Sequence, residues 1–331
     1  MTEHVMNTDV TIVGAGPTGL YGAYYAGFRG LDTVVVDVLP QVGGQIAAMY
    51  PEKQIRDVAG LPSIRGRDFV DQLAAQAACA APQYVLGRQA VQLRHDADGH
   101  PELALDDGTV IHSRAVVLTG GIGTPKPRPL PVGAEWNGSA VSWFVTDPEK
   151  HRDQHVVVVG GGDSALDWAD LLGEVAASVT LVHRRAAFRG HAATLARVES
   201  AENTTIVTES ELVALDGDLA SGTLRSVSLR HNSGAEQTVA ADHVIAALGF
   251  ISDLGPIRDW GLELRGRSVA VDRSMRTNLP HVYAAGDLAD FDGKVKLMSI
   301  GFGEVALAMN HVAVELDPDL TLFPGHSTDA A

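Results

Sequence analysis

The chain has 331 residues, 45% of them hydrophobic and 20% charged, enough for two domain-sized cores. Its formal net charge of -16 argues against non-specific binding to nucleic acid, and no stretch approaches the roughly 20 uninterrupted apolar residues of a membrane span. Met1 to Asp9 carries charge early and does not read as a signal peptide, so a soluble, cytoplasmic protein without nucleic-acid or membrane partners is expected.

The first periodic segment, Asp9 to Val13, is a β-branched run that stops at Gly14-Ala15-Gly16-Pro17-Thr18-Gly19, and a helical stretch follows from Leu20 to Phe28. Strand, tight turn and helix in that order are what a dinucleotide fingerprint requires. Gly14 makes the turn, Gly16 lets backbone amides approach a pyrophosphate, and Gly19 allows the helix to pack closely on the sheet. A second strand, Thr33 to Val36, ends in Asp37, 23 residues past Gly14. A carboxylate there is placed to accept hydrogen bonds from ribose hydroxyls, which fits an adenosine ribose without a 2′-phosphate.

Cys79 is the one cysteine, so there is no internal disulfide and no CxxC pair, and redox chemistry must belong to a bound cofactor. Inside the alanine-rich run Gln72 to Ala81, Cys79 is expected as a small buried apolar residue. A helix over Arg67 to Ala80 and an alternating β region from Tyr84 to Leu118 would complete the first sheet. Thr119-Gly120-Gly121 followed by Pro125, Pro127, Pro129 and Pro131 suits a crossover linker.

The fingerprint then recurs. His155 to Val159 is a strand, Gly160-Gly161-Gly162-Asp163-Ser164-Ala165 the turn, and Leu166 to Leu172 a helix. The next strand, Val179 to Val182, ends in His183-Arg184-Arg185 with Arg189 close behind, and His183 lies the same 23 residues past Gly160. A cationic cluster where the first unit carries an acid predicts a ligand with a 2′-phosphate, so the second nucleotide reads as NADP(H). Alternating strands at Thr205 to Leu215 and Ser226 to Leu229 precede an apolar strand, His243 to Leu248, which breaks at Gly249-Phe250. A closing strand, Val282 to Ala285, ends in Gly286-Asp287 and suggests a return to the first domain.

These segments together resemble the ferredoxin-NADP reductases of the thioredoxin-reductase-like type, over nearly the whole chain. The resemblance rests on GAGPTG from Gly14, VGGQIAAMYPEKQIRDVAG from Val42, VVGGGDSALDW from Val158, VHRRAAFR from Val182, VYAAGDL from Val282, KVKLMSIGFGEVALAMN from Lys294 and FPGHS from Phe323. It implies an α/β fold of two Rossmann-like, three-layer nucleotide-binding domains, the NADPH domain (120–249) inserted into an FAD domain (1–119 and 250–331). Thioredoxin reductases share GGGDSA, HRRxxFR and AAGD but carry CxxC before the second glycine motif. Here that region reads Ala140 to Val145 with no thiol, which excludes dithiol reduction.

The resemblance further implies that Tyr50 stacks on one flavin face and that His326, in a C-terminal extension that often reaches across a dimer, covers the other. It adds Pro17, Thr18, Gly44, Gln45, Gly286, Asp287 and Ser327 to the FAD contacts. The implied reaction is hydride transfer between NADPH and FAD, then single-electron exchange with ferredoxin or flavodoxin, in a homodimer with no metal ligands and no general acid or base. Lys53, Arg56, Arg65, Arg67, Lys294 and Lys296 are candidates for a basic surface that receives an acidic ferredoxin. An NADPH-dependent diaphorase or quinone or flavin reductase, and a non-enzymatic flavin or NADPH sensor, remain open.

Overall fold

The computed structural model describes residues 4–123, 126–251 and 253–326. Pro125 and Ser327 lie outside the described residues. The chain forms two compact units, one of Met1–Pro125 with Ser252–Ala331 and one of Lys126–Ile251.

The first unit opens with β1 (Val5–Val13), α1 (Pro17–Phe28), β2 (Thr33–Asp37), α2 (Gly44–Met49) and α3 (Gly66–Ala78), then β3 (Gln83–Leu86), β4 (Ala90–His95), β5 (Pro101–Leu105) and β6 (Val110–Leu118). The second unit contains β7 (Val141–Ser142), β8 (His155–Gly160), α4 (Asp163–Gly173), β9 (Ser178–Val182), α5 (Ala192–Ser200), β10 (Thr204–Val207), β11 (Ser210–Asp218), β12 (Thr223–His231), β13 (Glu236–Ala240) and β14 (His243–Ala247). The chain then returns to the first unit with β15 (Val282–Ala284) and α6 (Met298–Leu316).

In the first sheet β1 lies between β2 and β6, all parallel, so Val13 is flanked by Val36 and Leu118. β3 extends the sheet beyond β2, β5 and β4 meander antiparallel off one half of β6, and β15 pairs parallel with the other half. Val10, Ile12, Val34, Val35, Val116, Val117 and Tyr283 are almost wholly buried, so both faces of the parallel strands are covered and the usual alternation gives way to continuous apolar runs. The second unit repeats the plan as a parallel sheet in the order β7-β14-β8-β9-β10, with an antiparallel meander β11-β12-β13. The stretch expected as one strand from Thr205 to Leu215 is two, β10 and β11, divided at Thr208-Glu209, where Glu209 takes a left-handed φ of 51°.

The division between units falls at 125/126 and 251/252 instead of 119/120 and 249/250. Gly120 to Gly123 stay with the first unit because Gly123 bridges to Asp253 and Thr119-Gly120 packs against Gly14. Phe250-Ile251 stays with the second because it forms a two-stranded ribbon with Lys126-Pro127.

Cys79 corrects the sequence expectation, for it is exposed. The face that α3 buries carries Phe69, Val70, Leu73 and Ala77, and Cys79, as the helix C-cap two residues later, turns off that stripe.

Candidate functional site

Both glycine turns sit at the carboxyl end of the central strand of a parallel sheet, between strands that lead away on either side, which is where α/β folds bind nucleotides. At the first turn Gly14 has φ +118°, and a Cβ there would lie 2.7 Å from the Thr119 carbonyl. Thr119, read from sequence as linker, is part of the turn: its hydroxyl donates to the Gly14 carbonyl at 2.8 Å. Gly19 is required by contact, since a Cβ would fall 1.8 Å from the Gly14 oxygen. Gly16 differs, because its open side meets nothing nearer than the Gly44 Cα at 3.9 Å. It is the N-cap of α1, with Pro17 at the first helical position and no side chain capping the helix. An uncapped N-terminus beside open space fits a pyrophosphate.

Asp37 closes the turn. One carboxylate oxygen accepts from the Ala15 N–H at 2.6 Å and the other from the Leu39 N–H at 2.8 Å. Burial raises its pKa above the usual carboxylate value, and these two N–H groups pull the other way.

The second turn has the same plan with different chemistry. Gly162 is the N-cap of α4, again without a side-chain cap, and a Cβ there would meet nothing within 4 Å. Asp163 accepts from the His191 N–H at 2.9 Å and so ties α4 to the start of α5, while Ser164 is half-buried in the first turn of α4.

His183 occupies the position of Asp37, one residue past a strand whose last pair is Val159 with Val182. It is not one of the exposed cations. The ring is 7% exposed, stacks on Phe188 with centroids 5.1 Å apart, and lies where a Cβ of Gly161 would be, 2.1 to 2.4 Å from its atoms. Burial lowers its pKa, opposed by a hydrogen bond to the Ala187 backbone and reinforced by Arg185, Arg189 and Arg184. The positive charge belongs to those three exposed arginines. Among the described residues none of them is ion-paired, whereas Arg152, Arg197 and Arg230 of the same unit each hold a carboxylate. Free guanidinium groups beside an uncapped helix fit a phosphorylated ribose.

The remaining first-unit residues converge around Gly16. A Cβ on Gly44 would lie 2.9 Å from the Gly16 Cα, and one on Gly121 would lie 3.4 Å from the Gln45 side-chain nitrogen. Tyr50 caps α2, half-buried, with the Lys53 ammonium 5.6 Å from its ring centre. Thr18 fills the space over Gly286 and Gly301, which would place a Cβ 2.9 and 2.7 Å from its hydroxyl. Gly286 has φ +74°, and the half-buried Asp287 carboxylate beside it has no hydrogen-bond partner among the described residues, which leaves it open to a ligand hydroxyl.

Sequence reasoning missed what holds this last turn. Lys294 and Glu304, with side chains 2% and 6% exposed, form a buried ion pair. The Glu304 carboxylate accepts from the Gly286 N–H at 2.8 Å, and the Lys294 ammonium donates to the Gly286 carbonyl at 2.9 Å. Ten residues apart across a loop, the pair leaves no periodic signal. Lys294 is therefore not part of a docking surface. Arg65 and Arg67 are engaged by Glu52, whereas Arg56 and Lys296 are exposed.

His326 is exposed and meets the Phe323 ring edge-on at 5.3 Å. The chain just before it, Thr321 and Leu322, is bonded to Arg29 at the C-terminal end of α1, whereas Gly16 is at the N-terminal end.

Residues 8–311 match the family model described as pyridine nucleotide-disulphide oxidoreductase. The chain belongs to that family. It is similar to a protein of Salinispora tropica named ferredoxin–NADP reductase, 53% identical over 97% of this chain and 98% of that one. A Nocardioides protein of the same name is 49% identical over 100% of this chain and 99% of its own. In fold it is similar to the thioredoxin reductase of T. acidophilum, with a TM-score of 0.81 at 24% identity over 94% of this chain and 99% of that one. That likeness supports the α/β architecture of two Rossmann-like units, and among the described residues no helix is long and apolar enough to cross a membrane.

Proposed function

We propose that this protein is a ferredoxin-NADP reductase that holds FAD in the first unit and NADP(H) in the second and exchanges electrons with ferredoxin or flavodoxin. The observation that carries the reading is opposite chemistry at equivalent strand ends: a carboxylate at Asp37 in the first unit and, just after His183 in the second, three exposed arginines that are not ion-paired among the described residues. A ribose hydroxyl suits the first and a 2′-phosphate the second, which supports FAD in the first unit and NADP(H) in the second.

FAD held there would supply the junction between two-electron exchange with a nicotinamide and one-electron exchange with a carrier. The chain's residues bind and orient. Gly14, Gly16 and Gly19 with Pro17 and Thr18 bring the first turn of α1 against the pyrophosphate. Asp37 receives the ribose, Asp287 accepts a hydroxyl of the flavin's sugar chain, and Gln45 and Tyr50 line the ring. Gly160, Gly161, Gly162, Asp163 and Ser164 present the α4 terminus to the second pyrophosphate, and Arg184, Arg185 and Arg189 hold the extra phosphate. With no cysteine between Ala140 and Val145, and Cys79 exposed at a helix end, the acceptor is external.

The enzyme is a homodimer in this reading. Thr321 and Leu322, just before His326, are held at one end of α1 and the phosphate turn lies at the other, a helix of 12 residues and thus about 18 Å along, which supports His326 serving the flavin of a second copy. The cytoplasm is its proposed location.

The test is to mix the FAD-loaded protein anaerobically with NADPH and then compare turnover on ferredoxin, flavodoxin and a quinone. Rapid flavin bleaching and a higher kcat/KM for a protein carrier than for the quinone are expected. Preference for the quinone would favour the diaphorase reading, and no bleaching would favour a sensor.

A further inference from the structure

We propose that Arg29 is a positioning residue: it clamps the C-terminal tail so that Phe323 and His326 are presented to the second copy. The inference rests on the reading of His326 above. Arg29 is the C-cap of α1, and a cation there would be explained by the helix dipole alone if its donors met the last carbonyls of α1. They go elsewhere. Nη2 donates to the Thr321 carbonyl at 2.9 Å, and Nη1 donates to the Leu322 carbonyl at 3.4 Å and to the Asn310 side-chain oxygen at 2.9 Å. The carbonyls of Ala26 and Tyr25 are served by the Arg29 backbone N–H instead.

Asn310 is itself fixed. Its amide donates to the Tyr25 hydroxyl at 3.2 Å and to the Ala306 carbonyl at 3.0 Å, so α1 and α6 together aim the guanidinium at the tail. Beyond the clamp, the Thr321 hydroxyl donates to the Phe323 carbonyl at 2.8 Å, Gly325 turns at φ +90°, and the Phe323 and His326 rings meet. The segment from Thr321 to His326 folds back on itself. Leu322 and Phe323 are left 46% and 65% exposed, an apolar tip at the end of an anchored strap. Two adjacent carbonyls bridged by one planar fork are held in direction as well as place, which an ammonium could not do. Fixing the strap lowers the ordering entropy that docking His326 on a flavin would otherwise cost.

The test uses the full FAD-loaded protein in five forms: parent, Arg29→Ala, Arg29→Lys, a chain ending at Leu322, and that truncation combined with Arg29→Ala. Chymotryptic cleavage of the tail, the absorption and fluorescence of the bound flavin, and ferredoxin turnover are measured on each. Losing the charge-assisted bonds should speed tail cleavage by about tenfold. The flavin spectrum of Arg29→Ala should move as it does in the truncation, with no further change in the double variant. Arg29→Lys should behave as Arg29→Ala. Cleavage and flavin spectrum unchanged in Arg29→Ala, while truncation alters the flavin, would overturn the clamp and leave the role of His326 standing. Full rescue by Arg29→Lys would overturn it too, because charge and not the fork would then suffice. A truncation that leaves the flavin unaltered would remove the His326 reading and this inference with it.

Discussion

The side chain at the end of the next strand after each glycine turn steadies the middle residue of that turn. Asp37 does so with a hydrogen bond to the Ala15 N–H, whereas His183 does so by filling the volume a Gly161 side chain would need. Gly161→Ala should therefore push the ring aside and destabilise the second unit by about 2 kcal/mol, read as a lower Tm. Gly162→Ala has open space and φ of -102°, so Tm should hold while the added methyl, on the phosphate side, weakens NADPH binding. Calorimetry and NADPH titration on the pair separate fold from site. Arg184→Ala with Arg185→Ala should raise KM for NADPH by about tenfold or more and leave NADH little affected, since only the phosphorylated ribose loses charge-assisted bonds. An unaltered NADPH to NADH preference in steady-state assays would refute the assignment. The equal spacing of Asp37 and His183 was legible in the sequence. That His183 turns inward and stays neutral was not, because it depends on Phe188 and Gly161 closing around the ring.

At the scale of elements, α6 fastens the end of the chain to its beginning. Gly301 in its first turn leaves room for Thr18 of α1, and Glu304 one turn on grips the Gly286 backbone with Lys294. Replacing Glu304 by alanine strands a buried ammonium and should cost about 3 kcal/mol, with FAD lost on dilution as the Gly286-Asp287 turn loosens. Retention of flavin and an unchanged Tm would count against that role. The first residue of β14 makes a second, pH-dependent case. Burial, with the neighbouring His151, pushes the His243 pKa from 6.5 down to about 4, and Ser142 is its hydrogen-bond partner at 2.9 Å. His151 faces it with Gln154, Asp147 and Lys150 nearby, and burial lowers the pKa of His151 as well. The unfolded chain protonates below about pH 6.5 whereas folded His243 does so only near pH 4, so stability of the second unit is lost as pH falls between those values. The loss is at most roughly 3 kcal/mol. Denaturation at pH 7 and pH 4.5 should show a smaller difference in His243→Asn than in the parent.

For the molecule as a whole, the two nucleotide folds were readable because each strand, turn and helix of a fingerprint is local in sequence. The unit boundaries were displaced by a few residues because long-range pairings, Gly123 with Asp253 and Phe250 with Pro127, decide them. The docking surface shrank for the same reason: burial of Lys294 and pairing of Arg65 and Arg67 are tertiary facts. With a net charge of -16, the protein repels an acidic carrier except beside exposed cations such as Arg56 and Lys296, the latter donating only to the Ser268 hydroxyl at 3.3 Å among the described residues. Charge reversal of both to glutamate should slow ferredoxin reduction several-fold at low salt and hardly at high salt, while reduction of a small dye is spared. Equal loss with both acceptors would instead indicate misfolding. The exposed position of Cys79 has a practical side: a single accessible thiol on a helix end takes one maleimide per chain, so a fluorophore or an electrode tether can be attached at a known point without mutating the protein.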